Sequence, residues 1–244
     1  MSSPVSTYIA LLLDRSSSMS HQRKTVVAGV NEFLDAQRLV NAPCHVQIIA
    51  FSEPGDYETI ASGDVQHISN FTEDTYNPMG FSTAFYDAAV KAIDEVGMTL
   101  FKMPEASRPK HVLFYMVTDG ENNAFTEMSD SSYYYNGYNS GGILGHRGHH
   151  HLNVTQRINA LKERIKHQSA KYNWKFLYLG TNQDAVMAAS VFGLNSDSSL
   201  GYNNTTSGTK GAFAMASEKA VSYRSGNFDA LKVTVNDRDT LNKA

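Results

Sequence analysis

The chain has almost no cysteine, since Cys44 is the single one among 244 residues. A lone cysteine excludes an internal disulfide and is typical of a reduced, cytoplasmic protein, in which we interpret Cys44 as a small core residue. The first residues, MSSPVSTYIALLLD, lack the basic n-region and the long apolar segment of a secretion signal. No apolar run approaches the length of a membrane span. We therefore expect a soluble, cytoplasmic protein that does not bind a membrane.

The chain also lacks an excess of charge of either sign. Its formal net charge is −3, which gives no electrostatic reason to expect a nucleic-acid partner. Hydrophobic residues make up 41% of the sequence and charged residues 18%, as in an ordinary globular protein. A chain of this length suits one sizeable α/β domain.

The common enzyme motifs are missing as well. The sequence contains no Walker loop, no Gly-x-Ser-x-Gly elbow, no His-Glu-x-x-His helix and no Gly-x-Gly-x-x-Gly turn. A phosphatase of the haloacid-dehalogenase type would need a second acid two residues after Asp14 as its proton donor, but Ser16 stands there. We expect that the protein is not an enzyme, and a metal-dependent hydrolase is the least favoured alternative.

What the chain does have is an alternation of apolar runs and helical patterns. Continuous apolar runs at residues 8–13, 46–51, 112–117 and 176–179 predict strands that are buried on both faces. Between them, apolar residues recur with helical spacing over residues 26–34, 85–96 and 154–165. This alternation predicts an α/β, Rossmann-like doubly wound fold with a mostly parallel sheet and helices on both faces.

The remaining segments carry weaker signals. Residues 56–72 predict one or two edge strands, and residues 182–191 and 211–223 predict helices. We expect a single domain over residues 1–225 and a polar tail over 226–244, which forms either a short strand at 231–235 or a mobile end.

Residues 126–152, TEMSDSSYYYNGYNSGGILGHRGHHHL, predict an insertion that is rich in Tyr, Gly and His. Connections of this length are usually functional or disordered, so a partner-binding loop and a disordered loop both stay open. The histidines suit zinc or nickel, but no cysteine accompanies them, and adventitious metal binding is the favoured interpretation. They are His146, His149, His150 and His151.

Oxygen-bearing side chains come directly after the predicted strands in the sequence. In doubly wound sheets, ligands bind at this carboxyl edge of the strands. Asp14, Ser16 and Ser18 follow the first strand, Thr118-Asp119-Gly120 follows a later one, and GFSTAFYD precedes the second helix. Such hard oxygens are the ligands that Mg²⁺ prefers. Taken separately, the Asp14 cluster could be a helix N-cap and Asp119-Gly120 a turn, whereas their joint placement favours a metal site. Asp87 is better interpreted as an acid in the first turn of a helix.

The pattern Asp14-x-Ser16-x-Ser18 with Thr83 and Asp119 resembles the metal-ion-dependent adhesion site (MIDAS) of von Willebrand factor type A (vWA) domains. The resemblance covers about residues 6–194, and DRSSSM with VTDG carries it. STAFYDA, GVNEFLDAQR and LGTNQDA are similar to stretches of stand-alone bacterial and bacteriophage members.

The resemblance implies a Rossmann-like fold and a divalent ion, usually Mg²⁺, with Mn²⁺ or Ca²⁺ as alternatives. It also implies binding of a partner protein through a Glu or Asp. In such sites Ser16, Ser18 and Thr83 contact the ion, while Asp14 and Asp119 act directly or through water.

One departure from the family is the loop GFST, where the family has Gly-Gly-Thr or Gly-x-Thr, so that Ser82 competes with Thr83 as the third hydroxyl. We expect a metal-dependent protein-protein interaction module. The alternative is a structural or assembly protein, for example of a phage particle, that self-associates and uses the ion only to stabilise loops. A phage-encoded protein would act in the host cytoplasm.

Overall fold

One sheet of six strands organises the part of the chain that the structure, a computed structural model, describes: residues 6–119, 153–181 and 185–242. The spatial order of the strands is β3-β2-β1-β4-β5-β6, and only the β2–β3 pair is antiparallel. This arrangement confirms the predicted α/β, mostly parallel sheet. The strands are β1 (Thr7–Asp14), β2 (Cys44–Phe51), β3 (Tyr57–Asp64), β4 (His111–Thr118), β5 (Lys175–Thr181) and β6 (Ser199–Tyr202).

Six helices in the described ranges cover both faces of this sheet. They are α1 (Arg23–Arg38), α2 (Phe85–Lys102), α3 (Val154–Tyr172), α4 (Ala185–Val191), α5 (Thr206–Arg224) and α6 (Val235–Asn242). The apolar sides of α1, α5 and α6 pack on one face, and those of α2, α3 and α4 on the other. Within β1, Leu11 and Leu13 belong to the first of these cores while Ala10 and Leu12 belong to the second, which explains why the run is apolar at every position.

The C-terminal part differs from the prediction. The strand predicted over residues 231–235 is wrong, because α6 begins at Val235 and residues 231–234 form turns and coil. Thr234 and Asp237 explain this start: the Asp237 N–H donates to Thr234 Oγ1 at 3.2 Å, and the Thr234 N–H donates to Asp237 Oδ2 at 2.7 Å. This reciprocal pair is a capping box, which the spacing Thr-x-x-Asp encodes. The short strand β6 was not predicted at all.

The Tyr/Gly/His-rich insertion at 126–152 lies outside the described residues. Across the described ranges, each helix is too short or too polar to cross a lipid bilayer.

Candidate metal centre

The carboxylate of Asp14 is enclosed where β1 and β4 end side by side. Leu13 lies opposite Val117 in the parallel register, so Asp14 is level with Thr118. The Thr118 hydroxyl donates to Asp14 Oδ2 at 2.6 Å, and the Ser16 N–H donates to Asp14 Oδ1 at 2.8 Å. Both carboxylate oxygens therefore accept hydrogen bonds, and the second bond shapes the turn that carries the serines.

The two serine hydroxyls continue from this turn toward the end of β4. Ser16 Oγ lies 3.0 Å from Ser18 Oγ, and the Ser18 hydroxyl donates to Asp119 Oδ1 at 2.9 Å. Ser16 is buried, whereas Ser18 is exposed to solvent. Hydrogen bonds thus join four of the five predicted ligands in one series, in which Asp14, Ser16 and Asp119 are buried and Ser18 is exposed.

The loop that carries Thr83 is held against the serine turn by backbone hydrogen bonds. The Met79 N–H donates to the Arg15 carbonyl at 2.7 Å, and the Ser17 N–H donates to the Gly80 carbonyl at 3.2 Å. These bonds bring the third predicted cluster to the same edge of the sheet as the other two. Thr83 is buried and Ser82 is half-buried at the end of this loop.

Gly80 is required by the close approach of this loop to the end of β2. Its φ is +85°, a conformation that L side chains rarely adopt. A Cβ at this position would also lie 2.7 Å from Ser52 Oγ. Two residues after Ser82, the Ala84 N–H donates to the Ser52 carbonyl at 2.8 Å, which fixes the start of α2.

Arg15 supports the serine turn from the side of β3. Its guanidinium is buried, forms a bidentate ion pair with Asp56 and also contacts Glu58 at 3.0 Å. Burial would raise the pKa of Asp56, but the hydrogen bonds from Arg15 and Ser52 keep it below its usual value. The positive charge next to Asp14 in the sequence is therefore neutralised within the β2–β3 hairpin.

The two aspartates of the site resist ionisation in the absence of a cation. Burial raises the pKa of Asp14 to about 6, while the hydrogen bonds from Thr118 and Ser16 partly oppose this rise. Burial also raises the pKa of Asp119, which the Ser18 hydroxyl partly offsets. A bound cation reverses this preference, because it favours the charged carboxylates.

The donor set fits a small, hard divalent ion. No group of three or more His, Cys, Asp or Glu residues that could hold a metal exists in the described ranges, so any site here depends on hydroxyls. Neighbouring ligands of octahedral Mg²⁺ lie about 3.0 Å apart, and those of Ca²⁺ about 3.4 Å apart. The Ser16–Ser18 and Ser18–Asp119 oxygen separations of 3.0 and 2.9 Å match the smaller ion. The same separations are ordinary hydrogen-bond distances between two oxygen atoms.

Several supporting residues escaped the sequence analysis. The buried Tyr76 hydroxyl donates to the main-chain oxygen of Asp14, and the Thr181 hydroxyl donates to that of Asp119 at 2.9 Å. Thr118 belongs to an oxygen-bearing cluster that the sequence indicates, but its hydrogen bond to Asp14 was not predicted. Tyr76 lies in an irregular loop, and no local signal marks it.

The prediction for Asp87 also has a structural counterpart. This residue is the acid in the first turn of α2 and forms an ion pair with the buried Arg157 of α3. The ligand roles of Asp14, Ser16, Ser18, Thr83 and Asp119 stay predictions. The histidine tract His146–His151 and the neighbouring tyrosines lie outside the described residues.

Similarity to known proteins exists at the level of structure only. Neither the models of known protein families nor the curated protein sequences contain a match to this chain. Among solved structures, the pilus adhesin SpaC from Lactobacillus rhamnosus GG has a TM-score of 0.61 at 16% identity, over 91% of this chain. The PilB minor pilin from Streptococcus sanguinis has a TM-score of 0.51 at 13% identity, also over 91%.

A third similar structure is that of proximal thread matrix protein 1 from the mussel byssus, with a zinc-occupied MIDAS motif. Its TM-score is 0.54 at 12% identity, over 90% of this chain. This chain spans only 30% of SpaC, 62% of PilB and 49% of the matrix protein. At such identities the likeness shows the fold alone, which is an α/β sheet with helices on both faces.

Proposed function

We propose that this protein is a metal-dependent protein-binding module that captures an acidic side chain of a partner. The observation that carries the proposal is the series Ser16–Ser18–Asp119, whose oxygens lie 3.0 and 2.9 Å apart at the carboxyl edge of the sheet. In this proposal Ser16, Ser18 and Thr83 contact a divalent ion, and Asp14 and Asp119 hold the shell directly or through water.

The composition of the shell explains why a partner carboxylate would bind. Three of the five proposed ligands are neutral hydroxyls, so the protein supplies only two negative charges. A divalent ion held by this set of ligands would keep part of its positive charge and could accept one further oxygen ligand. Ser18 is exposed, which leaves the site accessible to a Glu or Asp of another protein. Mg²⁺ is the proposed ion, with Mn²⁺ and Ca²⁺ as alternatives.

The comparisons support this proposal at a coarse level. The mussel matrix protein has a MIDAS motif that holds zinc, so a protein of this fold can carry a divalent ion. SpaC and PilB are an adhesin and a pilin. We further propose that the protein is not an enzyme and that it acts in the cytoplasm, in keeping with its single cysteine.

The proposal is tested first by metal binding and then by capture. Wild-type protein should bind one equivalent of Mn²⁺ or Mg²⁺ in calorimetry, and Asp119→Ala should bind none while its circular dichroism stays unchanged. In a pull-down from lysate of the native host, a partner should be retained in Mg²⁺ and lost in EDTA or with Asp119→Ala. Asp74→Ala, which removes a fully exposed carboxylate outside the site, is the matched control and should behave as wild type.

Two results would overturn the proposal. One is a wild-type protein that binds no divalent ion. The other is a partner that is retained equally in Mg²⁺, in EDTA and with Asp119→Ala.

A structural or assembly role is the second candidate, and the matrix and pilus proteins of the same fold favour it. In this case the ion would only stabilise the loops, and copies of the chain would self-associate. Size-exclusion chromatography with light scattering, with and without Mg²⁺, tests it, because a clean monomer in both conditions counts against self-assembly.

Generic phosphoester and peptide substrates should show no turnover with Mg²⁺ or Mn²⁺.

A further inference from the structure

Tyr202, the last residue of β6, has a buried hydroxyl that the metal centre described so far does not use. The residue is 4% exposed, and its hydroxyl has no hydrogen-bond partner among the described residues. A buried polar group without a partner destabilises a fold. At this position phenylalanine would fill the same space without that cost, so the hydroxyl of Tyr202 calls for an explanation.

The sheet register places Tyr202 beside the metal centre. Tyr202 pairs with Thr181 across β5 and β6, and the Thr181 hydroxyl donates to the main-chain oxygen of Asp119 at 2.9 Å. The ring of Tyr202 lies in the same core cluster as Tyr76 and Met19, on the side of the sheet that α1 and α5 cover. Tyr202 is therefore part of the layer beneath the carboxyl edge of the strands.

The charges of the site act on this hydroxyl. Burial raises the pKa of Tyr202, and the negative charges of Asp119 and Asp14 raise it further. The phenol therefore keeps its proton and is a hydrogen-bond donor. Tyr76 lies in the same core cluster, but its proton is already donated to the main-chain oxygen of Asp14.

We propose that Tyr202 is a positioning residue of the metal centre, whose hydroxyl donates a hydrogen bond to the Asp119 carboxylate, directly or through one water, when the centre holds its cation. This inference rests on the proposed function, since it assumes that the centre binds a divalent ion. Asp119 Oδ1 accepts a hydrogen bond from the Ser18 hydroxyl at 2.9 Å. A second donor beneath Asp119 would hold its carboxylate in place when the Ser18 oxygen turns toward a cation.

The test compares metal affinity between Tyr202→Phe and wild type. The loss of a hydrogen bond to a metal-binding carboxylate typically weakens metal affinity by about tenfold or more. We expect Tyr202→Phe to bind Mn²⁺ about tenfold more weakly in calorimetry, with the stoichiometry unchanged. Its melting temperature without metal should equal or exceed that of wild type, because a buried hydroxyl without a partner is removed.

Tyr115→Phe is the matched control. Tyr115 is also buried on the α1/α5 side of the sheet, but its hydroxyl donates to the Ala216 carbonyl at 3.4 Å. Its removal should leave the Mn²⁺ affinity unchanged. As a second readout, Mg²⁺ should produce a near-ultraviolet tyrosine difference signal in wild type and Tyr115→Phe that Tyr202→Phe lacks.

The outcomes separate this inference from the proposed function. Equal Mn²⁺ affinities of wild type and Tyr202→Phe would overturn the inference and leave the metal centre intact. A Mg²⁺-induced tyrosine signal that persists in Tyr202→Phe would also count against it. A wild-type protein that binds no divalent ion would overturn both.

Discussion

At the scale of single residues, the site is governed by how deeply each oxygen is buried. Asp14 is fully enclosed and accepts hydrogen bonds at both carboxylate oxygens, whereas Ser18 is exposed and donates to Asp119. Burial penalises the charged form of a carboxylate, and a hydrogen bond to that form offsets only part of the penalty. The ionisation of Asp14 is therefore coupled to the stability of the fold.

The coupling predicts a fall in stability with rising pH for the cation-free protein. The pKa of Asp14 is about 6 in the folded state and about 4 in the unfolded chain. Between these values the unfolded state loses the proton and the folded state keeps it, so the contribution of Asp14 to the free energy of unfolding decreases as pH rises. Urea unfolding in EDTA should show this fall, and saturating Mg²⁺ should reduce it by favouring the ionised carboxylate.

Asp14→Asn isolates this effect, because the amide does not titrate. The difference in free energy of unfolding between wild type and Asp14→Asn should change across pH about 4 to 6. Asp56 does not interfere. Its pKa is lowered in the folded state, so its contribution to the free energy of unfolding is lost only when the pH falls below this window. A constant difference between the two proteins would contradict the prediction.

At the scale of helices, the packing of α1 on α5 depends on Gly29. A Cβ at Gly29 would lie 2.6 Å from the Phe213 ring and 2.9 Å from the Phe213 Cβ, which is fixed to the α5 backbone. Gly29→Ala should therefore lower the free energy of unfolding by about 2 kcal/mol, because an overpacked core must shift. Urea unfolding monitored by circular dichroism measures this change.

At Gly97 in α2, the same substitution should have the opposite effect on the free energy of unfolding. A Cβ there would meet only Gln168 Nε2, at 3.3 Å, and this atom ends a flexible side chain. Gly97→Ala should stabilise the protein by about 0.5–1 kcal/mol, since alanine favours the helix over glycine. Equal effects of the two substitutions would show that helix propensity, and not the α1–α5 contact, decides the outcome at Gly29.

At the scale of the whole molecule, the last helix closes the core that α1 and α5 form. Val233 and Leu241 are buried in this core, although the surrounding sequence is polar. Leu241→Ala should lower the free energy of unfolding by about 2 kcal/mol, because it removes buried methyl groups and leaves a cavity. Thermal or urea unfolding checks this prediction.

The adjacent Thr240 is exposed, and its hydroxyl donates to the Asn236 carbonyl at 2.8 Å within the same helix. Thr240→Ala should change stability by less than about 0.5 kcal/mol. If both substitutions had the same small effect, the C-terminal segment would behave as the mobile tail that its composition suggests.

The sequence by itself determined the central strands, the three long helices between them and the order of the oxygen clusters along the edge. These features depend on local patterns: strands buried on both faces are apolar at every position, and a helix that covers a sheet repeats its apolar residues with a helical period. The joint occurrence of Asp14, Ser16, Ser18 and Asp119 at strand ends predicted a common location, and the structure brings these four together.

Only the tertiary structure decided the features that depend on distant contacts. The strand β6 has four residues and no apolar run, so that pairing with β5 alone defines it. Tyr76 contacts the main-chain oxygen of Asp14 from a loop, and Tyr202 lies on an edge strand beside Thr181. No spacing in the sequence connects either tyrosine with Asp14 or Asp119. The physical reason is that burial and strand register depend on contacts between residues that are distant in the sequence. A local pattern reflects only the preferences of residues that are close together in the chain.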